Sequence, residues 1–179
     1  MPSPHHGRSR SRTAGVPDLR AFAATDDVAL RPPWSRAADA FDRACTRCGA
    51  CVEACPTHVL RVADGRLRVD YADGECTFCG ACATACPEPA FDVTAHAAKA
   101  RPWNVAARIG GDCLARLGVS CDSCGDACES HAIRFRMHGG PVPDPRVDAQ
   151  LCTGCGACVR VCPASAIAVA VRSFPVPPT

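Results

Sequence analysis

Apolar residues along this chain come in short bursts broken by cysteine, glycine and proline. Val59-Leu60-Arg61-Val62 and Leu67-Arg68-Val69 flank Asp64-Gly65, a pattern that predicts a β-hairpin with a tight Asp-Gly turn. Ala90-Phe91-Asp92-Val93 predicts a short strand. Ile133-Arg134-Phe135-Arg136 alternates apolar and polar positions and predicts another. Residues 166–171 predict the last strand. Residues 95–100 predict a turn of helix, ended by Arg101-Pro102-Trp103. Two prolines stiffen Arg31-Pro32-Pro33-Trp34-Ser35, and Trp34 is expected to pack on the unit that follows, with a partner contact as the sharper alternative.

Four of the apolar pairs keep one step from a cysteine. Val59-Leu60, Ala90-Phe91, Ala132-Ile133 and Ala166-Ile167 lie four and five positions after Cys55, Cys86, Cys128 and Cys162. The chain is therefore a repeat, and the repeat is built on thiols. Its clearest copy is Cys152, Cys155, Cys158, Cys162 and Pro163, spaced C-x2-C-x2-C-x3-C-P. That is the thiolate spacing of a [4Fe–4S] cluster in bacterial ferredoxins. Gly154 and Gly156 let the backbone pass close to the sulfurs, and Pro163 stops the helical turn. Cys45, Cys48, Cys51, Cys55 with Pro56, and Cys76, Cys79, Cys82, Cys86 with Pro87, repeat the spacing. Zinc is the competing metal, but zinc sites pair one C-x2-C with a distant second pair, and a third cysteine at the same short step fits them poorly.

The third copy is irregular. Cys121, Cys124 and Cys128 keep C-x2-C-x3-C, but no cysteine lies three before Cys121, and Glu129 replaces the proline. The downstream apolar pair puts Cys128 in fourth place and Cys121 and Cys124 in second and third. The first ligand is expected to be Cys113, carried in by a longer loop over residues 114–120; a spare buried thiol is the alternative.

In two-cluster ferredoxins the fourth cysteine of each motif ligates the neighbouring cluster. Cys86 is expected to complete the set of Cys45, Cys48 and Cys51, and Cys55 that of Cys76, Cys79 and Cys82. Cys162 would join Cys113, Cys121 and Cys124, and Cys128 would join Cys152, Cys155 and Cys158. A nested pairing, first motif with fourth and second with third, stays open; it would bring Cys55 near Cys152 rather than Cys76. The expected fold is α+β: two tandem bacterial-type two-cluster ferredoxin domains of small hairpins and short helices. Their bounds are 41–95 and 109–172, joined by a linker at 96–108, with a flexible N-terminal tail at 1–40 and a C-terminal tail at 173–179.

Composition sharpens this picture. The 179 residues hold 16 cysteines but only six Phe, two Trp, one Tyr and two Met. Apolar burial alone is too small to fold such a chain, so clusters are expected to stand in for a core and folding to require them. The first thirty residues show no signal-peptide apolar run and the chain no membrane-spanning stretch, so a reducing cytoplasm is expected, where clustered thiols bind metal rather than form disulfides. The net charge of +2 falls to about −6 if four cubes each add about −2. That argues against a nucleic-acid binder. The basic run at 7–12 and the pair His5 and His6 read as solvated tail, and Pro175-Val176-Pro177-Pro178 as an extended end. No nucleotide-binding glycine fingerprint, P-loop or catalytic constellation is present, so no enzyme is expected. His58 and His131 each lie three residues after a fourth cysteine; they are exposed turn residues or, alternatively, donors that tune a cluster.

Residues 31–171 resemble one family closely. Arg31-Pro32-Pro33-Trp34-Ser35, Cys45-Thr46-Arg47-Cys48, Cys76-Thr77-Phe78-Cys79, Trp103 and the irregular block Ile109-Gly110-Gly111-Asp112-Cys113-Leu114-Ala115 are similar to the ferredoxin-type NapF proteins of the periplasmic nitrate reductase system. The resemblance implies a cytoplasmic protein with up to four [4Fe–4S] clusters that meets the precursor of NapA, the catalytic molybdenum subunit, and assists its maturation before export. An electron-transfer ferredoxin serving nitrate reduction is the alternative.

Overall fold

The computed structural model describes residues 30–172. The readings made for 1–29 and 173–179 lie outside them. In chain order the elements are α1 (Ala38–Ala44), α2 (Ala50–Glu53), β1 (Leu60–Ala63), β2 (Arg66–Val69), α3 (Ala81–Thr84), α4 (Val93–Ala97), β3 (Val105–Ile109), α5 (Ser123–Asp126), β4 (Ile133–Arg136), β5 (Asp144–Val147), α6 (Ala157–Arg160) and β6 (Ile167–Val171). Small helices and two-stranded antiparallel sheets alternate, an α+β arrangement.

The same unit occurs twice. A single turn of helix carries the third cysteine of each motif: Cys51 on α2, Cys82 on α3, Cys124 on α5 and Cys158 on α6. Such turns are far too short to be stable alone. Three of them are entered through a left-handed glycine, Gly49, Gly80 and Gly156, with φ of 86, 75 and 88°. Between the motifs of each unit runs a hairpin: β1 pairs with β2 from Leu60↔Val69 to Ala63↔Arg66, and β4 with β5 from Ile133↔Val147 to Arg136↔Asp144. The predicted Asp64-Gly65 turn is formed, both residues having positive φ. The strand that enters each unit pairs with the one that leaves it. In the second unit this is β3 with β6, from Val105↔Val171 to Ile109↔Ile167. In the first it shrinks to one bridge, Ser35↔Phe91.

Three sequence readings change. Ala90-Phe91-Asp92-Val93 is not a strand: only Phe91 makes a bridge, and Asp92 caps α4, its carboxylate accepting from the Ala95 N–H at 2.9 Å. A capping Asp before an alanine-rich run favours helix, and it outweighs the apolar pair. The stretch 96–108 is not a plain linker. It cuts α4 and contains most of β3, whose Val-Ala-Ala-Arg-Ile sequence has no clean alternation because its first three residues are all buried. The boundary at 40 falls inside α1, and residues 30–36 are built into the first unit. There Val69 N–H donates to the Leu30 carbonyl, Arg36 N–H to Ala90 and Asp92 N–H to Trp34. Trp34 is buried as expected, its indole N–H donating to the Ala100 carbonyl at 3.1 Å.

Two cores result. The first gathers Phe41, Val59, Leu60, Leu67, Tyr71, Ala90 and Phe91 around buried thiols, with Phe41 and Phe91 edge-to-face at 5.6 Å. The second gathers Ala106, Ala107, Ile109, Ala132, Ile133 and Ile167 around Cys124, Cys152 and Cys158. Among the described residues no helix is long and apolar enough to cross a membrane.

Candidate metal centres

The sixteen thiols are all free and gather in four nests. A small cavity of about 20 Å³ is lined by Cys45, Cys48, Cys51 and Cys86, with Phe41, Leu67 and Phe91 as its apolar wall. A second, also about 20 Å³, is lined by Cys55, Cys76, Cys79 and Cys82 with Trp34, Val59, Leu60 and Phe78. Cys124 has Cys113, Cys121 and Cys162 as its neighbouring thiols, and Cys158 has Cys155, Cys152 and Cys128 from its own nest and Cys124 from the next. Cys55 stands beside Cys76. The structure thus brings together the sets expected for exchange between neighbouring motifs and not the nested ones.

The third nest shows what its missing cysteine costs the loop and how it is replaced. The paired left-handed positions of the other motifs, Arg47 with Gly49, Phe78 with Gly80 and Gly154 with Gly156, have no counterpart around Cys121. Asp122, with φ of −131°, enters α5 instead of a glycine. Residues 113–119 make their own tight loop, in which the Leu117 and Val119 N–H groups donate back to the Cys113 and Leu114 carbonyls at 3.0 and 2.9 Å. That loop sets Cys113 beside Cys124.

The donor set suits an iron–sulfur cube. Every nest offers four thiols and no imidazole or carboxylate partner in place of one. Among the described residues no three Cys, His, Asp or Glu side chains converge on a point that one bare ion could occupy. The thiols of the first two nests instead rim a cavity. Burial first, then the neighbouring thiols, push Cys51, Cys76 and Cys124 up to about 11 and Cys82 and Cys158 up to about 12. Four crowded thiols do not ionise together unaided, so a polycation must displace their protons as it binds.

Backbone and basic groups then balance the charge. Amide N–H groups of Ala107, Ala132 and Ala166 donate to Cys152, Cys128 and Cys162 Sγ, each at 3.3 Å. The Cys152 carbonyl accepts from the guanidinium of Arg101 at 2.9 Å and from that of Arg172, which also donates to the Val105 carbonyl at 2.8 Å. Arg172 is the buried charged residue of the described chain, and sequence reasoning missed it. His58 and His131 are exposed, have φ of 55 and 49°, and close the turn after the fourth cysteine through N–H bonds to the Cys55 and Cys128 carbonyls. Ser165 does the same after Cys162, with φ of 49°. Three of the four motifs share this left-handed turn, one of them with a serine and no imidazole, so the turn reading holds. His96 is a second residue whose place the sequence does not suggest: its ring covers Gly80, where any Cβ would meet Nε2 at 2.0 Å, and meets Trp34 edge-on at 4.5 Å.

The family model of the 4Fe-4S dicluster domain matches residues 44–90 and 119–166. Cys113 lies outside both matches. The ferredoxin-type protein NapF of Escherichia coli strain K12 is 45% identical over 139 residues, covering 77% of this chain and 82% of that protein. The chain belongs to the NapF family of ferredoxin-type proteins. NapF of Haemophilus influenzae is 43% identical over 141 residues, 78% of each chain. The methylamine utilization ferredoxin-type protein MauM of Methylorubrum extorquens is 33% identical over 182 residues, 84% of this chain and 80% of that one. The chain is an iron–sulfur protein with two copies of the dicluster domain, and its cofactors are [4Fe–4S] clusters.

Proposed function

We propose that this protein holds four [4Fe–4S] clusters and acts in the cytoplasm as an accessory protein that assists maturation of NapA, the catalytic subunit of periplasmic nitrate reductase, before its export. The ligands in this reading are Cys45, Cys48, Cys51 and Cys86; Cys55, Cys76, Cys79 and Cys82; Cys113, Cys121, Cys124 and Cys162; and Cys128, Cys152, Cys155 and Cys158. The two units are those expected at 41–95 and 109–172, widened to take in residues 30–36 and β3, and they meet at a junction rather than hanging on a free tether. The clusters supply one-electron redox capacity; the chain supplies thiols, amide donors and a wall that keeps water out. It is not an enzyme and has no nucleic-acid or membrane-inserted role in this reading. The observation that carries it is the crowding of Cys113 against Cys124 in a chain 45% identical to a NapF protein. An irregular motif rebuilt to a full donor set points to use of all four nests.

The test is a pull-down of tagged protein with the unexported NapA precursor, paired with the iron content of NapA made in a strain lacking this protein. A stable complex and a cluster-poor NapA are expected. The nearness of one nest to the next, Cys82 beside Cys51 and Cys158 beside Cys124, favours a second reading, an electron-transfer ferredoxin of the nitrate-reduction pathway. No complex, together with fast reversible electron exchange with a donor and an acceptor, would establish that one instead.

A further inference from the structure

Tyr71 is the one tyrosine of the chain, and neither the motifs nor the repeat account for it. It follows the hairpin of the first unit and is 6% exposed. Its hydroxyl donates to the Gly154 carbonyl, 2.7 Å away and eighty-three residues along the chain. Its ring lies against Gly156: any Cβ there would meet Cδ1 at 2.0 Å and Cε1 at 2.3 Å. Both glycines belong to the loop of the fourth motif. Close by, the Cys76 N–H donates to the Cys155 carbonyl at 2.8 Å, a backbone bond between the second motif and the fourth. The thiols around the tyrosine are Cys76 from one nest and Cys152, Cys155 and Cys158 from the other. Trp103 closes the edge, its indole N–H donating to the Thr153 carbonyl at 2.7 Å and its ring meeting Phe78 edge-on at 5.9 Å.

Contacts inside each unit extend the row. Cys82 of the second nest neighbours Cys51 of the first, and α2 packs on α3. Cys158 of the fourth nest neighbours Cys124 of the third, and α5 packs on α6. We propose that Tyr71 is a positioning residue that keys the second nest against the fourth, so that the four centres stand in one line, ordered first, second, fourth, third, and the chain is a single relay with two ends rather than two separate pairs. The reason lies in the loop it touches. A ring pressed on a left-handed glycine leaves the fourth-motif loop one seat, and the hydroxyl bond fixes its rotation there. Gly156 thus has a second use besides its backbone angle: it is the socket for the ring.

This inference rests on the four-cluster reading, and the experiment separates the two. Wild-type protein, Tyr71→Phe, Tyr71→Ala and Trp103→Phe are prepared without oxygen and their iron counted first. Each is then reduced with dithionite for electron paramagnetic resonance, and hydrogen exchange is followed in a peptide containing Cys76. In Tyr71→Phe, full iron is expected, with the Cys76 amide exchanging up to about tenfold faster because one buried hydrogen bond is gone. In Tyr71→Ala, spin–spin broadening is expected to fall as the inner centres separate. If that variant loads poorly, the phenylalanine variants decide by the same two readouts. Fully loaded Tyr71 variants with unchanged exchange and unchanged broadening would overturn the keying role. Wild-type protein with far less than about sixteen iron atoms would overturn the four-cluster reading instead.

Discussion

The two units share a topology and reach it by opposite means. In the first, the entering segment carries Pro32 and Pro33, which have no N–H to give, and the pairing with the leaving segment is one bridge, Ser35↔Phe91. Aromatic bulk makes up the difference: Trp34, Phe41, Tyr71 and Phe91 are all buried. In the second, β3 and β6 pair over five residues with alanine at Ala106, Ala107, Ala168 and Ala170, and the sheet approaches the thiols closely enough for Ala107 to donate to Cys152 Sγ. Where side chains are large, the backbone can stay apart; where they are alanine, backbone hydrogen bonds must close the shell. A thiol nest constrains only its own loop and leaves this choice free.

Removing the iron should expose that difference most strongly. With few large apolar residues around Cys124, Cys152 and Cys158, the second unit is expected to lose structure first under an anaerobic chelator. Hydrogen exchange by peptide would show β3 and β6 opening before β1 and β2; simultaneous opening would mean the units do not differ. Next in size, Cys113→Ala should cost the second unit about four of about sixteen iron atoms and leave the first intact. Unchanged iron would make Cys113 a spare thiol. In the first unit, Phe41→Ala should cost about 3–5 kcal/mol, read by chemical denaturation of the loaded protein. The cost should fall on the first unit, since Phe41 is 2% exposed among that unit's own residues.

Smaller effects sharpen the comparison within the repeat. Gly49 and Gly156 occupy the same motif position with φ of 86 and 88°, but nothing lies within 4 Å of a Cβ at Gly49, whereas Tyr71 fills that space at Gly156. Gly49→Ala should cost about 1–2 kcal/mol of backbone strain, and Gly156→Ala about 1–3 kcal/mol more from the collision. Equal melting shifts would show that the ring moves aside freely. Least in size, redox titration should place the centres of the third and fourth nests above those of the first two. Amides of Ala107, Ala132 and Ala166 donate there to Cys152, Cys128 and Cys162 Sγ and stabilise the added electron, whereas in the first unit the Phe78 and Ala83 amides serve Cys76 and Cys82 and a hydroxyl, that of Thr57, faces Cys55 Sγ at 3.7 Å.

Much of the candidate site was legible because thiol spacing is a local property. Ligands two and three residues apart must share a loop whatever surrounds it, so the four motifs, the left-handed glycines and the Asp64-Gly65 hairpin could be read directly. Cys113 was reachable too, by counting which cysteine had no place. The strand at 105–109 was not legible, since its partner lies some sixty residues on and its alanines carry no alternating signal. Nor were the roles of Tyr71, His96 and Arg172, which come from residues meeting across the fold.

The amino-acid order alone therefore settled the repeat, the donor type and the chemistry those donors select, because these depend on neighbours a few bonds apart. Only the folded chain decided which fourth cysteine stands with which loop, that the entering and leaving strands pair, and that the second and fourth nests meet at Tyr71. Those depend on contacts such as Tyr71 with Gly154 and Cys76 with Cys155, for which packing and hydrogen bonding leave no trace in local spacing.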